Sequence, residues 1–163
     1  LTWKRGALIQ PEPPEFDSPN ETAVAECADG TLLFNIRNRG TVYRRYAMQS
    51  ADGLTFTKPA AVEALPDPRC FGSIARAGRD ITLVNCASET HRTQLTLRLS
   101  HDNGKTWPAG RVLEAGIAGY ADLAFTPDGK EGYCLFETSG LDWPERYPQA
   151  LCFARFPTEW LMD

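Results

Sequence analysis

Apolar and polar residues alternate most cleanly over residues 94–100, where Leu95, Leu97 and Leu99 stand against polar neighbours. That period of two is the mark of a strand with one buried face. The pattern recurs in short pieces along the chain. In NETAVAECADGTLLFNIRNRG two β runs flank Asp29-Gly30, a strong hairpin signal, and further strands are predicted over 43–50 and 57–62. A second group is predicted over 69–77, 81–87, 94–100 and 111–114, and a third over 120–126, 132–137 and 149–156. The closing PTEWL predicts one helical turn, with Trp160 and Leu161 packing onto the last sheet, and nothing else carries a sustained helical period. The expectation is an all-β chain.

Turn signals divide these strands into similar units. Ser100 to Trp107, SHDNGKTW, predicts a tight turn closed by the Asp side chain, with Gly104 free to take a positive φ and Trp107 tucked beneath. Ser50 to Phe56, SADGLTF, is a copy one residue shorter with Phe in place of Trp, and the two serines lie fifty positions apart. Ala28-Asp29-Gly30, Ala77-Gly78-Arg79-Asp80 and Pro127-Asp128-Gly129 keep the same beat. Self-similarity at this period is what stacked four-stranded blades produce. The spacing predicts a partial β-propeller of about three four-stranded blades, fewer than the four or more that close a ring. Residues 19–163 read as these blades, and residues 1–18, with the proline-rich QPEPPEFDSP, as the end of a preceding blade and a linker.

Composition narrows the function. The 163 residues are 42% hydrophobic, enough for an ordinary core, and 13 Gly with 12 Pro suit short strands joined by tight turns. Apolar runs are too short for a membrane span, and LTWKRGALIQ lacks the basic region and apolar stretch of a secretory signal. A net charge of −4 argues against nucleic acid, which binds broad basic surfaces. An anionic small molecule would instead need a few arginines gathered in one pocket. The five cysteines, Cys27, Cys70, Cys86, Cys134 and Cys152, form no CxxC pair and have no neighbouring His pairing suited to zinc. Buried free thiols are expected.

Ser-x-Asp-x-Gly-x-Thr-Trp matches the Asp-box, the turn that joins outer strands in sialidase-like propellers. NETAVAECADGTLLFNIR resembles the Asn-Glu, Asp-Gly and Asn-x-Arg signature of exo-α-sialidases of the bacterial and lysosomal kind. HRTQLTLRLSHDNGKTW, GYADLAFTPDG and LFE follow in the same order with comparable gaps, so the likeness runs from about Pro19 onward. The resemblance implies the C-terminal portion of a six-bladed propeller that cleaves terminal α-linked sialic acid from glycoconjugates with retention, using no cofactor and no metal. Sialylated glycans or free sialic acid would be its ligands, and an N-terminal half or a second chain its partner. It also implies a secreted, periplasmic or lysosomal setting.

Carried over residue by residue, the resemblance makes Tyr120 the nucleophile and Glu21 the carboxylate that takes its proton. A phenol is a weak nucleophile at neutral pH, and an adjacent carboxylate activates it. Arg37 and Arg92 would be two of three arginines that clamp the substrate carboxylate through paired hydrogen bonds. Glu137 matches the acidic residue that orients the third. No stretch of this sequence supplies that third arginine or the family's acid/base aspartate.

Each residue also has an ordinary reading. Arg37, Arg39, Arg44, Arg45 and Arg98 are of the type that lies solvated on strand surfaces, Tyr120 is a strand aromatic, and Glu21 a loop carboxylate. His91 reads as an exposed loop residue, Asp52 and Asp102 as turn-closing groups, and the glycosylation match Asn20-Glu21-Thr22 as accidental. Two other functions compete with the enzyme: a module that recognises carbohydrate or protein without turnover, and a half-propeller that dimerises to cover its open edges.

Overall fold

The structure, a computed structural model, describes residues 2–139, 148 and 150–162. Four strands form the first sheet in chain order: β1 (Asn20–Glu26), β2 (Leu32–Arg37), β3 (Arg44–Ser50) and β4 (Ala60–Pro66). A second sheet runs β10-β9-β8-β7-β6-β5, built from β5 (Ser73–Ala77), β6 (Asp80–Cys86), β7 (Thr93–Ser100), β8 (Arg111–Phe125), β9 (Glu131–Thr138) and β10 (Ala150–Pro157). All neighbours are antiparallel. A single 3₁₀ turn, Thr158–Leu161, follows β10, where the sequence predicts a helical turn. Among the described residues no helix is long and apolar enough to cross a membrane.

The six-stranded sheet joins two blades through one strand. Over its first half β8 pairs with β7, from Leu97↔Arg111 to Thr93↔Ile117. Over its second half it pairs with β9, from Ala118↔Thr138 to Phe125↔Gly132. The separate strands predicted over 111–114 and 120–126 are therefore one 15-residue strand, the outer member of the second blade and the inner member of the third. Register shifts between Thr93 and Thr96 and between Ala118 and Ala121 bend it from one role to the other. Among the described residues the third blade has three strands, the second half of β8 with β9 and β10. Gln149, where the sequence predicts the last strand to begin, lies outside the described residues.

The curved array is that of a partial β-propeller, with apolar residues filling the gaps between blades. Ala25, Leu33 and Leu65 of the first blade meet Ile74, Ile81, Leu83 and Trp107 of the second. Val84, Cys86, Leu95 and Leu97 of the second meet Leu123, Cys134 and Phe136 of the third. Strand β6 thus sends Ile81 and Leu83 to one neighbour and Val84 and Cys86 to the other, which is why every residue from Ile81 to Cys86 is buried. Phe16, Ile36, Tyr46 and Met48 form a third cluster on the far face of the first sheet. All five cysteines are free thiols, four of them buried and Cys152 half-buried.

Both Asp-box turns share one wiring. Ser50 Oγ accepts from the Gly53 amide at 2.8 Å and Ser100 Oγ from the Gly104 amide at 2.9 Å. Asp52 Oδ1 accepts from the Thr55 amide and Asp102 Oδ1 from the Thr106 amide, each at 2.8 Å. Burial opposes ionisation of Asp102, but the Thr106 hydroxyl and amide outweigh it and hold the carboxyl down at about 2. The second turn also clasps the first blade. A Cβ on Gly104 would stand 2.3 Å from Leu33 Cδ2, and Asn103 Nδ2 donates to Asp29 Oδ2 at 2.8 Å.

Candidate active site

Two bulges bring the candidate residues to one rim. In β1, Asn20 pairs with Arg37 but the next aligned pair is Ala23↔Asn35, so Glu21 and Thr22 together oppose Ile36 alone. Glu21 takes a φ of 38°, in the left-handed region that L-residues seldom adopt, and its side chain turns toward Arg37. In β8, Gly119 and Tyr120 fall between Ala118↔Thr138 and Ala121↔Phe136, so both oppose Glu137. Bulges of this kind re-aim a side chain at the end of a ladder.

The phenol of Tyr120 sits at the centre. Its hydroxyl donates to Glu21 Oε1 at 2.6 Å and accepts from Arg37 Nη1 at 2.9 Å. Arg37 Nη1 also donates to Glu21 Oε2, closing a three-membered ring of contacts between residues 99 and 83 positions apart in the chain. Glu137 Oε2 accepts from the Tyr120 amide at 2.8 Å. Arg92 lays its guanidinium over the Tyr120 ring, 5.5 Å from the centroid, and its carbonyl accepts from the Ala118 amide at 2.9 Å. All five predicted site residues therefore converge. The Arg37 side chain is 12% exposed and that of Glu21 34%, leaving the carboxylate within reach of solvent.

These contacts set the protonation states. Burial pushes the Glu21 carboxyl up, but the bonds from Tyr120 and Arg37, with the charges of Arg37 and Arg92, together bring it below the ordinary glutamate range. The bond to Glu21, then burial, raises the Tyr120 phenol above its usual value. At neutral pH Glu21 is therefore a carboxylate, Tyr120 a neutral phenol and Arg37 a charged guanidinium. A proton can pass from the phenol to Glu21 along an existing hydrogen bond, with Arg37 N–H already directed at the oxygen left behind. Among the described residues no cluster of His, Cys, Asp and Glu has the make-up of a metal site.

His91 is exposed and bonds its own neighbour, Thr90. Arg45 departs from the expectation of a solvated surface residue: it is fully buried, its Nε donating to Asn35 Oδ1 at 2.7 Å and its Nη1 to the Cys70 carbonyl at 2.6 Å. It shares its strand face with Ala47, which packs into the gap between blades, and that parity was the available signal. Phe71 was not singled out from the sequence, yet its ring lies 5.6 Å from that of Tyr120. No spacing in the chain links the two.

Comparison with known proteins bears on the family and the fold. A family model described as a BNR repeat-like domain matches residues 1–133. The chain belongs to this exo-α-sialidase family. It is 30% identical over 151 residues to a sialidase of Micromonospora viridifaciens, covering 86% of this chain and 22% of that protein. To an exo-alpha-sialidase of Aspergillus fumigatus it is 30% identical over 156 residues, 88% of this chain and 38% of that protein. Among solved structures, the Hadza microbial sialidase Hz136 superposes with a TM-score of 0.73 at 25% identity, covering 88% of this chain and 28% of that one. This sialidase-family chain thus spans well under half the length of these relatives.

Proposed function

We propose that this chain carries the nucleophilic side of a retaining exo-α-sialidase site acting on terminal α-linked sialic acid of glycoconjugates. The observation that carries the reading is the Tyr120 hydroxyl, donating to Glu21 while accepting from Arg37. In the first step the phenol oxygen bonds to the anomeric carbon, its proton passes to Glu21, and the glycosidic bond to the departing alcohol breaks. Water then attacks the tyrosyl-linked sugar, its released proton passing to the conjugate base of the acid that protonated the departing alcohol, while the bond to the phenol oxygen breaks and Glu21 returns its proton to that oxygen. The proton needed by the departing alcohol comes from an acid that no stretch of this sequence supplies.

A neutral attacker suits this substrate. The anomeric carbon of sialic acid bears a carboxylate, and a second anion about 4 Å away would be repelled by about 4 kcal/mol at an effective dielectric of about 20. A phenol that loses its proton only as the new bond forms avoids that cost. Arg37 and Arg92 flank the phenol and are the groups to hold the substrate carboxylate, replacing the contact Arg37 now makes with Glu21. Glu137, bonded to the Tyr120 amide, keeps one carboxylate oxygen for the family's third arginine.

The test joins this chain to the N-terminal segment of a sialidase relative and follows release of a fluorogenic aglycone from an α-sialoside. Tyr120→Phe should abolish hydrolysis while sialic acid still binds, and Arg92→Ala should weaken that binding by about tenfold or more, the loss of one charged hydrogen bond. Hydrolysis surviving in Tyr120→Phe refutes the nucleophile. Binding without hydrolysis by the unsubstituted, joined protein would instead favour a carbohydrate-recognising module.

A further inference from the structure

Tyr120 is braced by groups to which the proposed chemistry gives no role. The Phe71 ring lies against it at 5.6 Å with a tilt of 52°, within the range of attractive aromatic pairs. Phe71 belongs to the connection between β4 and β5, and such connections move unless something ties them. This one is tied to the interior. Asp67 Oδ1 accepts from the Cys70 amide at 3.0 Å, and the Cys70 carbonyl accepts from Arg45. Arg45 Nη1 lies 3.5 Å from Asp67 Oδ2, both side chains buried. Asn85 Nδ2 donates to the Pro66 carbonyl at 2.7 Å, fixing the start of the same loop.

A buried ion pair is weak evidence for stability, since apolar residues of similar volume often serve as well, so its placement matters more than its energy. Here it links two points beside the site. Arg45 bonds Asn35, two residues before Arg37 in β2, and Cys70, one residue before Phe71. The strand that presents Arg37 and the ring that braces Tyr120 are therefore fixed to a single guanidinium group. A swing of the Tyr120 ring by about 30°, the range of an off-rotamer side chain, would carry its oxygen out of hydrogen-bond reach of Glu21. Phe71 stands against such a swing.

We propose that Phe71, anchored by the Arg45–Asp67 pair, is a positioning residue that holds the phenol of Tyr120 on the carboxylate of Glu21. Its importance for turnover rests on the sialidase reading, whereas the geometric claim stands apart from it. Incorporating tyrosine labelled with ¹³C at Cζ gives five resonances, one per tyrosine, and Tyr120→Phe identifies the one that matters. Phe71→Ala should move that resonance to the position it takes in Glu21→Gln, where the carboxylate partner is gone. Phe71→Tyr, which keeps a ring, should restore it. Val62→Ala, at a half-buried β4 residue that packs into the gap between the first two blades, should leave it in place.

An unmoved resonance in Phe71→Ala, or an equal displacement in Val62→Ala, overturns the positioning role. Should Phe71→Ala fold poorly, Phe71→Leu preserves bulk without a ring and is expected to give the same displacement; its absence counts equally against the proposal. Because the readout is a resonance, its failure is separate from that of the enzymatic reading. A displaced resonance in a protein whose Tyr120→Phe form still hydrolyses sialosides would leave the brace intact and remove the nucleophile.

Discussion

Replacing Gly119 with alanine tests how the site is assembled. Gly119 precedes Tyr120 in the β8 bulge, and a Cβ there would stand 2.1 Å from Glu137 Oε2, 2.9 Å from Pro148 Cγ and 3.1 Å from Glu137 Cβ. The new methyl must displace the carboxylate that accepts the Tyr120 amide. Losing a hydrogen bond to a charged group costs about 1.5–3 kcal/mol, and overpacking adds about 1–3 kcal/mol. Glu137 is half-buried and its side chain can rotate away, so the lower ends apply and the sum is about 2–3 kcal/mol.

The contribution of the carboxylate can be isolated. In a Glu137→Ala background only the overlap with Pro148 and the remaining Cβ persists, and Gly119→Ala should then cost about 1 kcal/mol. The coupling between the two positions is therefore about 1–2 kcal/mol. Urea unfolding of the four proteins measures it. At a slope of about 2 kcal/mol per molar the single Gly119→Ala change lowers the midpoint by about 1 M. Costs that add within about 0.5 kcal/mol would refute the claim that the carboxylate excludes a side chain at position 119.

Trp107→Ala should cost about 3–5 kcal/mol because the indole fills the gap between the first two blades, whereas Phe56→Ala, at a half-buried ring on the far face, should cost clearly less. Equal midpoints for the two variants would contradict that assignment. Glu21 predicts a pH signature. Its folded-state acidity is strengthened, so its stabilising contribution is complete above the unfolded value of about 4.3 and is lost as pH falls through the lower folded value. The stability difference between the unsubstituted protein and Glu21→Gln, measured in urea from pH 3 to 7, should shrink on the acid side; a difference independent of pH would remove the ionised carboxylate from the site.

Strand alternation, hairpin signals and the repeated turns made the blades legible, because each rests on contacts between residues near in sequence. Leu95, Leu97 and Leu99 alternate and are buried as expected. What was not legible arises from register. Residues 111–125 contain Gly116 and Gly119 and break their own alternation, so they read as two strands; the pairing partners on either side make them one. Arg45 reads from the sequence as a solvated surface residue because the partners that bury it, Asn35, Asp67 and Cys70, come from three separate segments. The convergence of Tyr120 with Glu21 across 99 positions is likewise invisible to any local pattern, and only the family resemblance joined them.

The backbone at the site follows a different rule from the backbone elsewhere in the blades. Outside it, positive φ falls largely to glycines at the tips of tight turns, where it carries no steric penalty. Around the site it falls to residues with side chains: Glu21 at 38°, Arg69 at 62° two residues before Phe71, and Gln94 at 56° two residues after Arg92. Such conformations cost about 1–3 kcal/mol each and persist only where their surroundings overdetermine them. Here the surroundings are the paired strands and the Arg45–Asp67 anchorage on either side. The bulge at Tyr120 has a further function, since it falls where β8 passes from the second blade to the third. The bend that lets one strand serve two blades is also the bend that lifts the phenol toward Glu21. Straightening β8 would therefore disturb blade packing and the site together, which ties the position of Tyr120 to the fold rather than to a movable loop.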